Sequence, residues 1–66
     1  MRIAVGHQGE SHVVESGEPI SINDLLTKLG IHPSTVLAVH DGTIVPHTTM
    51  ISQDVEIELV VVSSGG

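Results

Sequence analysis

The feature that most constrains the fold is a single amphipathic helix in a sequence of 66 residues. From Ile22 to Leu29, apolar residues recur every three or four positions, which predicts a helix with one apolar face. Ser21 can cap its start, Asp24 can complete a capping box, and Gly30 suits the left-handed residue that ends a helix. The other regular segments are β-rich, so we expect a sheet to cover the apolar face.

Alternating or apolar runs separated by turn residues predict the strands. The predicted strands comprise residues 2–7, 11–15, 35–40, 43–45 and 55–62. Gln8-Gly9 and Asp41-Gly42 each supply a turn between two of them, so we expect two hairpins. Pro46 places the strand before it at an edge, since proline cannot donate a ladder hydrogen bond. Residues 47–53 are predicted to be irregular.

The last predicted strand changes character along its length. One face carries Val55, Ile57, Leu59 and Val61. Glu56, Glu58, Val60 and Val62 alternate on the other face, which we expect to point away from the helix. Val60 and Val62 therefore either form an exposed apolar patch or are shielded by flanking strands.

The order hairpin, helix, hairpin, long strand predicts an α+β protein with the β-grasp (ubiquitin-like) fold. We expect a mixed sheet of four to five strands with one main helix packed on one face, and with the first and last strands central and adjacent. Residues 1–62 form the predicted domain. Ser63-Ser64-Gly65-Gly66 lacks bulky side chains and is predicted to be a flexible tail.

Composition excludes several classes of function. The chain has no cysteine and no aromatic residue, which rules out thiolate chemistry and aromatic stacking of a ligand. Its net charge is −6, with Arg2 and Lys28 as the only Lys or Arg residues, so we expect no nucleic-acid binding. The first residues form no apolar run of signal or membrane-spanning length. We expect a cytoplasmic protein that binds no membrane and is monomeric when free.

Three local features together resemble a known family. They are Asp41-Gly42-Thr43-Ile44-Val45-Pro46, Val55-Glu56-Ile57-Glu58-Leu59-Val60 and the terminal Gly65-Gly66. Their order resembles the ubiquitin-like sulfur carriers, including the thiamine-pathway carrier, the molybdopterin-synthase small subunit and the small archaeal modifiers. His47 departs from thiamine-type carriers, which often have a basic residue there. The absence of aromatic residues favours the thiamine or archaeal-modifier type over the molybdopterin type.

The resemblance implies a protein without an active site or bound cofactor of its own. A ubiquitin-activating-type enzyme would use ATP to adenylate the carboxylate of Gly66, which would then become a thiocarboxylate or be joined to an amine. Gly65, Ser64 and Ser63 would enter the channel of that partner. Enzymes that donate and accept sulfur would be further partners.

The remaining candidate sites have two interpretations each. Val60 and Val62 are a candidate docking patch at the base of the tail. Lys28 is the single lysine and a possible acceptor if the protein forms chains, although a favourable interaction with the helix dipole also explains it. His7 and His12 could face each other across the first hairpin, but we expect surface histidines and no metal site.

Three functions remain open at this stage. The chain is expected to be a sulfur carrier, with a ubiquitin-like protein modifier as the alternative that uses the same activation. A β-grasp interaction module with an inert tail is the alternative of a different class. Gly65-Gly66 favours the first two over the third, but the sequence does not separate the first from the second.

Overall fold

The computed structural model describes residues 1–62. The elements are β1 (Arg2–His7), β2 (Glu10–Glu15), β3 (Ile20–Ser21), α1 (Ile22–Lys28), a 3₁₀ turn (Pro33–Thr35), β4 (Val36–His40), β5 (Thr43–Val45), β6 (Met50–Ile51) and β7 (Val55–Val61). Five strands form one sheet in the order β2-β1-β7-β4-β5, and β3 pairs with β6 in a separate two-stranded sheet. The fold is α+β and β-grasp, as the sequence predicts.

The pairing of β1 with β7 organises the sheet. These strands run parallel, from Ile3 opposite Val55 to His7 opposite Leu59, while every other neighbouring pair is antiparallel. The sheet is therefore mixed, and the first and last strands are adjacent as predicted. On its other side, β7 pairs with β4 as far as Val61. Strand β7 thus continues two residues beyond the ladder with β1.

Both predicted hairpins close through two-residue turns. The φ angles are 50° at Gln8 and 80° at Gly9, and 53° at Asp41 and 77° at Gly42. Positive φ at both central residues gives a turn whose twist matches that of the flanking strands. Strand β5, which ends one residue before Pro46, is an edge strand of the sheet as predicted, and β2 forms the other edge.

The start of α1 is capped by a side chain and by the loop between β5 and β6. Ser21 Oγ accepts the amide N–H of Asp24 at 3.1 Å, so the serine cap forms as predicted. The carbonyl oxygens of Thr49 and His47 accept the N–H groups of Ile22 at 3.1 Å and Asn23 at 2.9 Å. The loop therefore satisfies backbone donors that the helix cannot pair internally.

The end of α1 follows the predicted glycine. Lys28 is the last helical residue, one position earlier than predicted. Gly30 has φ +75°, and its N–H donates to Thr27 O at 3.1 Å. The N–H of Ile31 donates to Leu26 O at 2.9 Å. This pair of bonds is a Schellman motif, which satisfies carbonyl groups in the last turn.

The prediction that residues 47–53 are irregular is wrong at Met50–Ile51, which forms β6. The strand is only two residues long, too short for side-chain alternation to reveal it. It exists because Ile51 pairs with Ile20 across a long stretch of sequence, and both side chains are buried. Contacts so distant in sequence leave no local pattern.

The core lies between α1 and one face of the sheet. Its buried side chains are Ile3, Val5, Ile20, Ile22, Leu25, Leu26, Val36, Ala38, Ile51, Ile57 and Leu59. All are aliphatic, and within residues 1–62 no polar side chain is buried. In the described part of the chain the opposite sheet face carries no helix, and we call it the free face. No helix in this part of the chain is long and apolar enough to cross a membrane.

Candidate functional site

The residues at the end of β7 form the base of the predicted tail. We call Val60, Val61 and Val62 the tail root. Val60 is 41% exposed, Val61 is 49% exposed and Val62 is partly buried. The exposure of Val60 and Val61 follows from the strand register, because β1 ends opposite Leu59 and leaves β4 as their single neighbouring strand. Val61 therefore lies on the core side of β7 without being buried.

A backbone hydrogen bond holds the tail root to the 3₁₀ turn. The N–H of Val62 donates to the carbonyl oxygen of Thr35 at 2.8 Å. Thr35 is itself fixed, since its N–H and its Oγ1 donate to His32 O at 3.0 and 2.7 Å. The backbone of Val62, the last residue that the structure describes, is therefore held in a defined position beside the 3₁₀ turn.

Apolar side chains continue from the tail root across the free face. Val60 pairs with Leu37 on β4, and Val39 pairs with Ile44 on β5, so all four side chains point away from α1. Ile44 is 62% exposed. We call Leu37, Val39, Ile44 and Val60 the apolar patch. Leu37, Val39 and Ile44 are not among the predicted docking residues, although the run from Val36 to Val39 is apolar on both faces and was a signal for the first two.

Carboxylates border the apolar patch. Glu56 and Glu58 lie on the same face of β7 as Val60, and Asp41 lies in the adjacent turn; all three are exposed. They line a shallow depression of about 330 Å³. Ala4 and Gly6 of β1 also line the depression, and a methyl group and a hydrogen fill little of it. The free face therefore combines an apolar strip with negative charge.

The remaining predicted site residues lie apart from this face or outside the described part of the chain. Ser63, Ser64, Gly65 and Gly66 lie outside residues 1–62, so their predicted roles and the predicted flexibility of the tail stay predictions. Lys28 is exposed in the last turn of α1. Its role as an acceptor also stays a prediction, as does the role of the tail root in binding.

The histidines do not assemble a common site in residues 1–62. His7 pairs with Glu10 and His12 pairs with Val5, so the two histidines lie on a diagonal instead of directly facing each other. His40 Nδ1 donates to the carbonyl oxygen of Glu56 at 3.2 Å. No group of three or more His, Asp or Glu side chains in this range could hold a metal ion.

Solved structures share this architecture. The crystal structure of a thiamine biosynthesis protein, ThiS, from Geobacter metallireducens matches with a TM-score of 0.68 and 20% identity, over 100% of both chains. ATBAG1, solved in complex with HSP70, matches with a TM-score of 0.71 and 11% identity. That match covers 92% of this chain, which spans 40% of the ATBAG1 chain. At these identities the likeness shows the fold alone.

The sequence itself carries the family assignment. No curated protein matches the sequence significantly. A family model described as the ThiS family, however, matches residues 2–66, which includes the domain, the tail root and the terminal Gly65-Gly66. The chain therefore belongs to the ThiS family.

Proposed function

We propose that this protein is a sulfur carrier whose terminal carboxylate, on Gly66, is adenylated and then converted to a thiocarboxylate. Membership of the ThiS family supports the sulfur-carrier role. The acceptor of the sulfur is a cofactor precursor or a tRNA base in this proposal. The chain serves as a protein substrate of a ubiquitin-activating-type enzyme and is not itself the catalyst.

The observation that most supports this proposal is that β7 continues two residues beyond its ladder with β1. A tail that enters another protein's active site needs a base that is anchored yet clear of neighbouring strands. Val60 and Val61 have a strand on one side only, and Val62 is held by Thr35. Four residues follow Val62, and an extended segment of that length reaches roughly 13 Å. The carboxylate can thus reach a recessed site while the domain stays outside.

The chemistry of the tail requires an activating partner. A carboxylate resists attack by a nucleophile, so its oxygen must first attack the α-phosphorus of ATP, with pyrophosphate as the leaving group. Hydrosulfide released from a sulfur donor then attacks the carbonyl carbon of the acyl-adenylate and displaces AMP, which leaves the thiocarboxylate. Gly65 and Gly66 have no Cβ, so their backbone can lie against both walls of a narrow channel.

The free face supplies the docking surface in this proposal. The apolar patch reaches the tail root through Val60, so a partner that covers it also stands over the start of the tail. Glu56, Glu58 and Asp41 lie beside the patch, and the chain carries a net charge of −6. The complementary surface is an apolar area edged by basic residues, which also speeds association through electrostatic steering.

Two alternatives use the same structure differently. A protein modifier would pass the activated carboxylate to a lysine amine, and the exposed Lys28 is available for a self-conjugate. An interaction module would use the apolar patch alone and leave the tail inert. Deletion of Gly66 separates the interaction module from the sulfur carrier and the protein modifier, which both use the activated tail. The mass of the product then separates sulfur transfer from conjugation.

The test is deletion of Gly66. The deleted chain still ends in a carboxylate, but that group falls about 3.3 Å short of the reacting position. Misplacement of about 1 Å can cost about 10²-fold in rate, so we expect thiocarboxylate formation to collapse. The measurement is the intact mass after incubation with the activating enzyme, ATP and a sulfur donor. Replacement of one terminal oxygen by sulfur identifies the product.

A length-matched control separates reach from the identity of the last residues. A chain that lacks Gly66 but has one glycine inserted between Ser63 and Ser64 restores the reach, and we expect it to recover part of the activity. Wild-type protein that yields no adenylate, thiocarboxylate or conjugate would rule out both the sulfur carrier and the protein modifier. A Gly66-deleted chain as active as wild type would overturn the role assigned to the Gly66 carboxylate.

A further inference from the structure

His47 connects two parts of the domain that the sequence keeps apart. Its carbonyl oxygen accepts the N–H of Asn23 at 2.9 Å, which fixes the main chain of the β5–β6 loop against the start of α1. Its side chain points to the 3₁₀ turn, where Nε2 lies 2.8 Å from the carbonyl oxygen of Pro33 in a partly buried contact. A carbonyl oxygen only accepts, so Nε2 carries the hydrogen and donates it.

The 3₁₀ turn in turn holds the tail root. Pro33 begins the turn and Thr35 ends it, with the N–H and Oγ1 of Thr35 closing it on His32 O. The carbonyl oxygen of Thr35 then accepts the N–H of Val62 at 2.8 Å. An unbroken series of short contacts therefore runs from α1 through His47 and the turn to the residue at which the tail begins.

We propose that His47 is a positioning residue for the reaction of the tail: by holding the 3₁₀ turn, it sets the direction in which the chain leaves Val62. This inference rests on the proposed function, because direction matters when the end of the tail must meet a partner's active site. Once a partner's channel holds the tail extended, the tail can no longer absorb a change at its root: over roughly 13 Å, a rotation of about 5° at Val62 displaces the end by about 1 Å. A shift of that size is enough to slow a positioned reaction about 10²-fold.

The side chain of His47 acts through one donated hydrogen bond, so it can be replaced by a group of similar reach. His47→Ala removes the donor and leaves the main-chain contact with Asn23 available. His47→Gln supplies an amide N–H at about the distance of Nε2 from the backbone. Thr35→Val removes the hydroxyl that closes the turn while keeping the shape of the side chain. His12→Ala is the matched control, since His12 is partly buried on β2, far from the turn in the sheet order.

The experiment measures the tail root and the reaction separately. Hydrogen exchange followed by NMR reports the protection of the Val62 amide, with Ile57 and Leu59 as references inside β7. Initial rates of carrier-dependent pyrophosphate release by the activating enzyme, at varied carrier concentration, give kcat and KM. We expect His47→Ala and Thr35→Val to lower Val62 protection and to lower kcat about tenfold. KM should stay within about twofold, because the apolar patch is unchanged.

Recovery of kcat and of Val62 protection in His47→Gln, with His12→Ala at wild-type values, supports the positioning role. Unchanged Val62 protection in both His47→Ala and Thr35→Val overturns it. Lost protection with unchanged kcat also overturns it, while leaving the sulfur-carrier function intact. If the wild-type chain releases no pyrophosphate, the proposed function fails instead, and amide exchange alone then decides whether His47 orders Val62. A far-UV circular dichroism melt identifies any variant whose loss of rate comes from unfolding.

Discussion

Val60 offers the sharpest test of the docking surface because it joins the apolar patch to the tail root. Replacing it with aspartate places a charge where a partner is proposed to bury an apolar side chain. The position is already 41% exposed and has a strand on one side only. The charge can therefore remain in water while the protein is free, and must lose water only when the partner binds.

The structure sets the size of both effects. Burial of a whole valine contributes about 1.5–3 kcal/mol, so truncating the buried part of Val60 costs about 1–2 kcal/mol. The lower strand preference of aspartate adds up to about 1 kcal/mol. A domain of this length has roughly 5 kcal/mol of stability, so the variant stays mostly folded. Loss of a central interface contact costs at least about 2 kcal/mol of binding, which is about 30-fold in Kd.

Val13→Asp is the matched control. Val13 also lies on the free face and is 58% exposed, but it is on the edge strand β2, beyond β1 from the tail root. Both variants add the same charge to the same face, so a general change in attraction to a basic partner affects them equally. The assay is titration of each variant into the activating enzyme by calorimetry. Far-UV circular dichroism confirms folding, since the chain has no Trp or Tyr for fluorescence.

We expect Val60→Asp to bind about 30-fold more weakly than wild type and Val13→Asp to bind within about threefold of it. Equal affinity of wild type and Val60→Asp would remove the apolar patch from the binding surface. Equal weakening in both variants would attribute the effect to net charge. A Val60→Asp chain without secondary structure would show that Val60 supports the core more than its exposure indicates.

Two further predictions concern the domain itself. Leu26 is fully buried beneath the sheet. Leu26→Ala should therefore lower the free energy of unfolding by about 2–5 kcal/mol, measured by urea titration followed by circular dichroism. An unchanged midpoint would mean that α1 does not cover the core. Gly30 has φ +75° with no heavy atom within 4 Å of an added Cβ, so Gly30→Ala should cost roughly 1–2 kcal/mol from backbone conformation alone. Gly17→Ala is the control, since an added Cβ at Gly17 has equal space and its φ lies outside the left-handed region. A loss of stability in Gly17→Ala as large as that in Gly30→Ala would contradict the explanation.

The fold was predictable because its main determinants are local. The cap at Ser21, the stop at Gly30 and the turn at Asp41-Gly42 each act within a few residues, and the structure has all three. Between them, periodicity assigns one helix and the long strands. Few arrangements can then cover one apolar helix face with these strands, which is why the order of elements indicated the β-grasp fold.

The geometry of the tail root was not predictable in the same way. Whether Val60 and Val61 are exposed depends on the residue at which β1 stops pairing, and a register between two ends of the chain leaves no mark in either segment. The apolar patch has the same origin, since Ile44 meets Val39 only through the β4–β5 register. Alternation indicated which residues share a face, but only the register shows which of them are neighbours.

His47 illustrates how a residue without a sequence signal can matter to the site. In the sequence it is one of five histidines, for which the prediction is surface positions without a metal site. In the structure its ring donates to the 3₁₀ turn and its carbonyl accepts from α1. Both contacts end on backbone groups, so the proposed positioning role leaves no pair of side chains for the sequence to reveal.

The register that exposes the tail root also separates stability from function. Strand β1 ends at the turn formed by Gln8 and Gly9, so it supports β7 up to Leu59, the last buried residue of that strand, and no further. Residues before that point contribute to the core on one face, and their side chains on the other face are free to contact a partner. Substitutions on the free face should therefore weaken binding while the domain stays folded, whereas substitutions at Ile57 or Leu59 should mainly lower the free energy of unfolding. In the proposed function, the tail can therefore enter a partner without loosening the core, because Val60 and Val61 are not among the buried residues of the domain.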